Sequence, residues 1–342
     1  MLIHEKYIKR CLQIAKNGIG VCRPNPSVGA VIVYNDKIIG EGFTSPYGSF
    51  HAEVNAIRSV KRQDLLEKAT IYITLEPCSH YGKTPPCADL ILAKKIPNIV
   101  IGCVDTNSLV AGKGIKKLEQ AGCNVTVGIL EKECFEHHKR FFTVQNKHRP
   151  FVILKWAQTK NGFIAPQKKE ALSPVWISNL YSQQLVHKWR SQEHAILVGT
   201  NTVRLDNPSL NVRNWFGNNP IRVVIDRFLT LPLSSNIFSK NQQTIIICEQ
   251  KKQNKINIVY EQINFSNNIS VEIVNVLMKH NIQSIIIEGG KQILQQFIDN
   301  NLWDEARVFL GECEFNLGIE APIFKSEMLV EKKIINDTLR IY

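Results

Sequence analysis

No stretch of the 342 residues approaches the ~18 consecutive apolar residues of a membrane-spanning helix. Charge interrupts the segment from Met1 to Gly18 throughout, which leaves no hydrophobic region for a secretory leader. Both absences lead us to expect a cytosolic chain that engages no membrane. The nine cysteines are an odd set and cannot all pair, so the question is which of them bind metal or do chemistry. Cys11, Cys22, Cys103, Cys123, Cys134, Cys248 and Cys313 stand in no spaced motif and read as small apolar fillers. No Gly-x-Gly-x-x-Gly occurs, which disfavours a Rossmann-type phosphate loop. No internal repeat or low-complexity tract stands out.

What is present is ordinary for a folded chain. With 44% hydrophobic and 21% charged residues it is too apolar for disorder, and its length suggests about two domains. The net charge is +12, with 20 Lys/Arg against 13 Asp/Glu in residues 1–147 and 22 against 17 beyond. The excess is spread over both halves and drawn into no single stripe. It therefore reads as a Lys-rich solvated surface, suited to small phosphorylated substrates, before it reads as a nucleic-acid footprint.

Hydrophobic periodicity places a helix over residues 3–17, and Pro24-Asn25-Pro26 breaks it. A hairpin follows, with strands at 30–34 and 37–43 around an Asn35–Asp36 turn. Helices are expected at 51–62, 86–95, 114–121 and 131–143, and strands at 69–75, 99–104 and 124–127. The boundary falls near Lys147–Pro150, giving domains 1–147 and 148–342. The second half alternates again. Strands are expected at 151–154, 195–198, 222–226, 244–248, 284–288 and 305–309, with helices at 178–191, 270–280 and 291–301. Residues 249–268, rich in Lys, Gln and Asn, read as a mobile surface stretch. Alternating strand and helix in both halves make the chain α/β.

The chemistry concentrates at His51-Ala52-Glu53 and Pro77-Cys78 … Cys87. One imidazole and two thiolates suit Zn²⁺ and leave the fourth tetrahedral position open, as a catalytic site requires. His51 stands at a helix entry and Cys87 just inside the next helix, where a helix N-terminus favours thiolate. Glu53 is expected to reach a zinc-bound water and act as the general acid/base. Zinc lowers the pKa of such a water from about 15.7 toward 7. The pattern resembles the zinc-dependent nucleobase deaminase signature His-x-Glu … Pro-Cys-x-x-Cys, except that eight residues, Ser79 to Pro86, separate the two cysteines here.

The longer run from Thr74-Leu75-Glu76-Pro77-Cys78 to Pro86-Cys87 resembles the deaminase half of the bifunctional riboflavin-biosynthesis deaminase–reductases. So do Pro24-Asn25-Pro26-Ser27-Val28-Gly29, the run from His51 to Ile57, and residues 110–115. In the second half the likeness continues through 154–162, Trp176-Ile177-Ser178, 190–197, Asn201-Thr202-Val203, Asp206-Asn207-Pro208, 222–226 and Glu288-Gly289-Gly290. It covers the chain nearly end to end.

The resemblance implies a cytidine-deaminase-like α/β/α domain followed by a dihydrofolate-reductase-like α/β domain. It implies hydrolytic deamination of a diamino-hydroxy-pyrimidine that carries phosphoribosylamine, then NADPH-dependent reduction of the ribosyl chain to ribityl. It places Asn25 in the pyrimidine pocket. Cofactor contacts fall at Gln158, Trp176, Thr202, Asp206 and the turn-helix at Gly290 and Lys291. Substrate contacts fall at Arg190, Leu210, Arg213 and Glu288. It also suggests a dimer or larger homo-oligomer.

From the residues themselves, His80 and Lys83 are candidates for the substrate phosphate, because their loop is cationic and near the metal. Lys155, polar at a strand end, is a candidate substrate contact. Arg190 and Arg213 suit phosphate because guanidinium binds it as a fork. The strand–Gly289-Gly290–helix passage suits a diphosphate on free backbone N–H groups.

Three positions depart from the family pattern: Asn161 replaces a common Asp, Pro174 a substrate-binding Ser, and Arg227 a cofactor-contacting Ser. A turn accepts Asn or Asp, so Asn161 is expected to matter little. Arg227 suits the 2′-phosphate that distinguishes NADPH from NADH. The alternative is a zinc-dependent tRNA or other nucleic-acid deaminase with an accessory binding domain. The long Cys–Cys spacing and the absence of an RNA-binding motif stand against it. A zinc-stabilised binding protein without activity is opposed by the open fourth position beside Glu53.

Overall fold

Short apolar runs alternating with amphipathic ones fold here into two units, Met1–His148 and Arg149–Tyr342. The structure is a computed structural model that describes residues 2–81, 85–106, 111–168 and 174–342.

In the first unit the elements are α1 (Leu2–Ala15), β1 (Gly29–Tyr34), β2 (Lys37–Phe43), α2 (Ala52–Ser59), β3 (Thr70–Leu75), α3 (Cys87–Ala93), β4 (Asn98–Cys103), α4 (Lys113–Gln120), β5 (Asn124–Val127) and α5 (Glu131–Lys147). The sheet order is β2-β1-β3-β4-β5, with β1 antiparallel to both neighbours and β3, β4 and β5 parallel. Asn35 and Asp36 both take positive φ, 49° and 59°, which a tight two-residue hairpin turn demands. β3 and β4 are almost wholly buried, as strands covered on both faces must be.

Two glycines decide how closely α2 seats on β2. A Cβ on Gly42 would come within 2.4 Å of the Ala56 nitrogen, and one on Gly40 within 2.5 Å of the Ala56 carbonyl oxygen. Larger residues there would push α2, and His51 at its start, off the sheet.

In the second unit the elements are β6 (Phe151–Gln158), β7 (Phe163–Pro166), α6 (Leu180–Gln192), β8 (Ala195–Gly199), α7 (Thr200–Asp206), β9 (Ile221–Ile225), β10 (Thr244–Cys248), β11 (Ile258–Gln262), α8 (Ile269–Lys279), β12 (Ser284–Ile287), α9 (Lys291–Asp299), β13 (Glu305–Leu310), β14 (Gly318–Glu320), β15 (Val330–Ile334) and β16 (Asp337–Ile341). The main sheet runs β11-β10-β9-β8-β12-β6-β13-β16-β15, and its first seven strands are parallel. Alternate residues feed two cores. Val152 and Leu154 face one and Phe151 and Ile153 the other; Ile245 and Ile247 are opposed in the same way to Ile246 and Cys248. The chain leaves β6 outward to β11, then returns to insert β12 between β8 and β6. The carboxyl ends of β8, β12 and β6 thus lie side by side, where open α/β sheets bind ligands.

The structure corrects several expectations. The supposedly mobile stretch 249–268 contains β11, paired in parallel with β10 from Thr244↔Ile258 to Cys248↔Gln262. Its few buried residues are hidden in a polar background. Helix α6 starts at Leu180 because Asn179 caps it, accepting from the backbone of Tyr181 and Ser182 at 3.0 Å each. Periodicity does not show α7, which is only seven residues long, or the β15–β16 hairpin, whose first strand is largely exposed. Cys313 is exposed, so it is no core filler, while Cys11, Cys22, Cys103, Cys134 and Cys248 are buried.

Candidate metal centre and reductase cleft

His51 occupies the N-cap position of α2 with extended backbone and makes no capping bond, so its ring is free for another task. Its Nδ1 lies 3.6 Å from Cys78 Sγ and 3.4 Å from Cys87 Sγ. Cys78 follows β3, and Cys87 is the first residue of α3, with its backbone N–H 3.3 Å from Cys78 Sγ. All three donor atoms lie within 4.8 Å of one another. Zinc bonds of about 2.3 Å to sulfur and 2.0–2.1 Å to nitrogen in a tetrahedron put N and S about 3.5 Å apart. The two observed distances bracket that edge, so the donor set fits zinc. Among the described residues the cluster includes no fourth protein donor.

The electrostatics support the same reading. Hydrogen bonds from Cys87 and His51 hold the Cys78 thiol below its usual range, so the pair carries a thiolate in advance. The Cys78 hydrogen bond in turn raises the His51 imidazole. Glu53 is buried in the first turn of α2 with its carboxyl against Cys87. Burial, reinforced by the charge of Cys78, pushes that carboxyl up to about 7, where a group both takes and gives a proton readily.

Glu76 is the residue that sequence reasoning passes over. It is buried, and its two oxygens accept four backbone N–H groups. Oε1 takes those of Gly114 (2.9 Å) and Ile115 (3.3 Å), and Oε2 those of Gly112 (2.9 Å) and Asp105 (3.2 Å). It ties the segment that opens α4 to the strand that delivers Cys78. The signal was a charged residue inside an otherwise apolar strand end, Ile73-Thr74-Leu75-Glu76.

The other first-unit candidates are less engaged. Asn25 is half-buried in the turn after α1, its backbone N–H donating to Cys22 at 3.0 Å. His80 is exposed, and Lys83 lies outside the described residues.

In the second unit three candidates converge. Glu288, just past β12, accepts from Arg190 Nη2 at 2.8 Å, and Lys155 Nζ stands 3.9 Å from its other oxygen. Burial alone would raise the Glu288 carboxyl, but the charges of Arg190 and Lys155 outweigh it and hold it at about 2. Burial lowers the Lys155 ammonium. Glu288 Oε1 and Arg190 Nε are buried without a protein hydrogen bond. Arg190 also donates to the Asn211 carbonyl at 3.3 Å, and the Arg213 N–H points at His187 Nδ1 at 3.4 Å. Arg190 is therefore already paired with a carboxylate, and only part of its fork remains for phosphate. The Leu210 side chain is buried in the core; its backbone sits at φ 53°.

Of the cofactor candidates, Gln158 closes β6, and Thr202, Gly290 and Lys291 follow the ends of β8 and β12. Gly290 caps α9 at φ 43°, and a Cβ there would lie 3.9 Å from Thr202 Oγ1, so the α7 and α9 starts face each other. Gly289 has no room for a side chain: its Cβ would meet Val198 Cα at 2.6 Å. A glycine turn at a helix start is a fitting seat for diphosphate. Lys291 turns its ammonium to Glu320 at 3.2 Å, leaving its backbone to the turn. Gln158 accepts from Trp156 Nε1 at 2.8 Å at the end of β6, Asp206 closes α7, and Trp176 is 56% exposed. Pro174 is half-buried. Asn161 does more than occupy a turn. Its amide donates to Phe315 O at 2.8 Å, a bond Asp cannot make, and its Oδ1 accepts from Thr159 at 2.7 Å.

Two family models match in the order of the two units. The zinc-binding region of cytidine and deoxycytidylate deaminases matches residues 1–103, and the RibD C-terminal domain matches residues 150–312. The riboflavin biosynthesis protein RibD of Aquifex aeolicus is 36% identical, over 90% of this chain and 87% of its own length. RibD of Escherichia coli is 32% identical, over 90% of this chain and 87% of its own. A crystal structure from Thermotoga maritima, described as a diaminohydroxyphosphoribosylaminopyrimidine deaminase/5-amino-6-(5-phosphoribosylamino)uracil reductase, superposes with TM-score 0.90 at 33% identity. It covers 99% of this chain and 98% of that one. RibD of Acinetobacter baumannii superposes with TM-score 0.87 at 28% identity.

Proposed function

Because the chain belongs to the RibD family of bifunctional riboflavin-biosynthesis deaminase–reductases, we propose the following division of labour between its halves. Residues 1–147 hydrolyse the 2-amino group of 2,5-diamino-6-(5-phosphoribosylamino)pyrimidin-4(3H)-one, releasing ammonia. Residues 148–342 then reduce the ribosyl chain of the product to ribityl with NADPH. The observation that carries this reading is the donor triangle of His51, Cys78 and Cys87 with the Glu53 carboxyl beside it.

In the first site His51 Nδ1 and the two thiolates would hold zinc, which supplies Lewis acidity toward water. Glu53 takes a proton from the attacking water and hands it to the departing amine. Its carboxyl, raised toward neutrality, suits both transfers. Asn25, His80 and Lys83 bind substrate. Glu76 fixes the backbone that opens α4 against the strand end that carries Cys78.

In the second site NADPH supplies the hydride. The turn at Gly290 and Lys291 seats its diphosphate, with Thr202, Asp206, Gln158 and Trp176 alongside. Lys155, Arg190, Leu210, Arg213 and Glu288 hold the phosphorylated sugar. Glu288 orients Arg190, and neither Glu288 Oε1 nor Arg190 Nε is committed to a protein hydrogen bond. The protein acts in the cytosol as a homo-oligomer, dimer or larger, and binds no nucleic acid. Nine unpaired thiols suit a reducing compartment.

The test is a coupled assay with fresh substrate, following ammonia release and NADPH oxidation together, with Glu53→Ala in parallel. Wild type should do both. Glu53→Ala should release no ammonia yet oxidise NADPH when given the deaminated intermediate. If wild type does neither, the reading fails; sedimentation velocity checks the oligomer.

A further inference from the structure

Arg227 lies two residues beyond β9, exposed, with its guanidinium over the rings of Phe228 and Phe265 at 4.8 and 5.2 Å from their centroids. Stacking on two rings fixes the plane of the fork and leaves its edge to choose a partner. Glu249 fills that edge. Arg227 Nε donates to Glu249 Oε2 at 3.1 Å and Nη2 to Oε1 at 2.8 Å, the bidentate arrangement that guanidinium also makes with phosphate. Backbone bonds present the pair. Glu249 N–H donates to the Arg227 carbonyl at 2.9 Å, and Gln262 Nε2 donates to the Glu249 carbonyl at 3.0 Å.

The position of the pair matters as much as its geometry. Thr200, the first residue of α7, donates its hydroxyl to the Ile225 carbonyl at 2.6 Å, which ties the end of β9 to the helix that carries Thr202. Thr202 faces Gly290, and β12, β8 and β9 are successive neighbours. Arg227 therefore stands about two strand spacings, ~10 Å, along the same carboxyl edge from the turn that suits a diphosphate. A dinucleotide seated there and extended along the edge brings its adenosine ribose to the guanidinium.

We infer that Glu249 is a built-in competitor for Arg227, so that the two residues gate cofactor choice: the 2′-phosphate of NADPH must displace the carboxylate, and the 2′-hydroxyl of NADH cannot. This rests on the reductase reading of the second unit. A phosphate monoester brings up to two charges and three acceptor oxygens against one charge and two oxygens, so it wins the fork. A neutral hydroxyl wins nothing from a charged pair. The arrangement weakens absolute NADPH affinity and leaves NADH untouched, so Glu249 tempers the preference that Arg227 creates.

The test is equilibrium calorimetry of NADP⁺ and NAD⁺ binding to the full chain. Arg227→Ala should cost NADP⁺ about tenfold or more in affinity, the worth of a charge-assisted bond, and leave NAD⁺ within about twofold. Glu249→Gln should raise the NADP⁺:NAD⁺ affinity ratio about two- to fivefold, the worth of an exposed ion pair. In the Arg227→Ala background Glu249→Gln should do nothing, because the competitor has lost its target. An unchanged ratio in Glu249→Gln, or undiminished NADP⁺ binding in Arg227→Ala, overturns the gate while the reductase reading stands. A wild-type chain that binds neither dinucleotide overturns the reductase reading and the gate with it.

Discussion

In the first unit the three metal donors and the buried carboxyl come from two short segments, 51–53 and 78–87. In the second, the candidate residues come from strand ends and loops as far apart as Gln158 and Glu288. The difference follows from what each site holds. A metal needs a few donors at fixed short distances, and two helix starts packed on neighbouring strands supply them. An extended dinucleotide beside a phosphorylated sugar needs many contacts spread along a sheet edge, and only the order of parallel strands brings those together. A compact site should fail all at once under a single substitution. A distributed one should fail by degrees.

The largest expected effect tests the compact site. Glu53→Gln should lower ammonia release about 10²–10⁴-fold. Metal analysis should still find zinc, because His51, Cys78 and Cys87 are intact. Cys87→Ala should lose metal and ammonia release together. NADPH oxidation with the deaminated intermediate should survive both; its loss would show that the two sites are not independent.

Next in size is the buried charge cluster of the second unit. Glu288→Gln leaves Arg190 and Lys155 without their counter-charge and should cost about 3–5 kcal/mol in stability, read by denaturant unfolding. It should also raise KM in the reductase assay and leave ammonia release alone. The cluster predicts an acid profile. His187, held at about 4 by burial and the charges of Arg190 and Arg213 against an ordinary 6.5, is neutral in the folded unit and protonates more readily once unfolded. Stability should fall as pH drops from about 6.5 toward 4. Glu288, held at about 2 against an ordinary 4.5, contributes stability above 4.5 that is lost from there down toward 2. His187→Gln should remove the first fall and keep the second.

Smaller is Glu76→Gln. It turns an amide N–H₂ toward two backbone donors and should cost about 2 kcal/mol of stability in the first unit, because buried polar groups are left unsatisfied. KM for deamination should rise more than kcat falls if the residue only positions its segment. Smallest is Asn161→Asp. It loses the amide bond to Phe315 and should lower Tm by no more than a few degrees, the effect of about 1 kcal/mol. An unchanged Tm would mean that the turn tolerates both residues equally.

Much of this was legible in the chain. The alternation of apolar runs gives an α/β protein, and Asn35–Asp36 announces its hairpin. His51, Glu53, Cys78 and Cys87 were readable because nitrogen and sulfur donors with an acidic neighbour have little other use at that spacing. The rest was illegible for physical reasons. β11 hides among polar residues because an edge strand needs only one buried side. Arg190 read as a free phosphate ligand because its carboxylate partner lies 98 residues away in sequence. Cys313 read as a filler because exposure is not written in residue type.

Composition and local pattern therefore determined the class of fold, the His-Cys-Cys donor set and the proposed acid/base Glu53, since each depends on residue type and short-range spacing. Tertiary structure alone decided that Glu76 collects four backbone donors, that Glu288 binds Arg190 and Lys155, and that Arg227 already holds Glu249. Those pairings join segments that only the order of strands in a sheet makes neighbours, and charge at such range carries no trace in the local sequence.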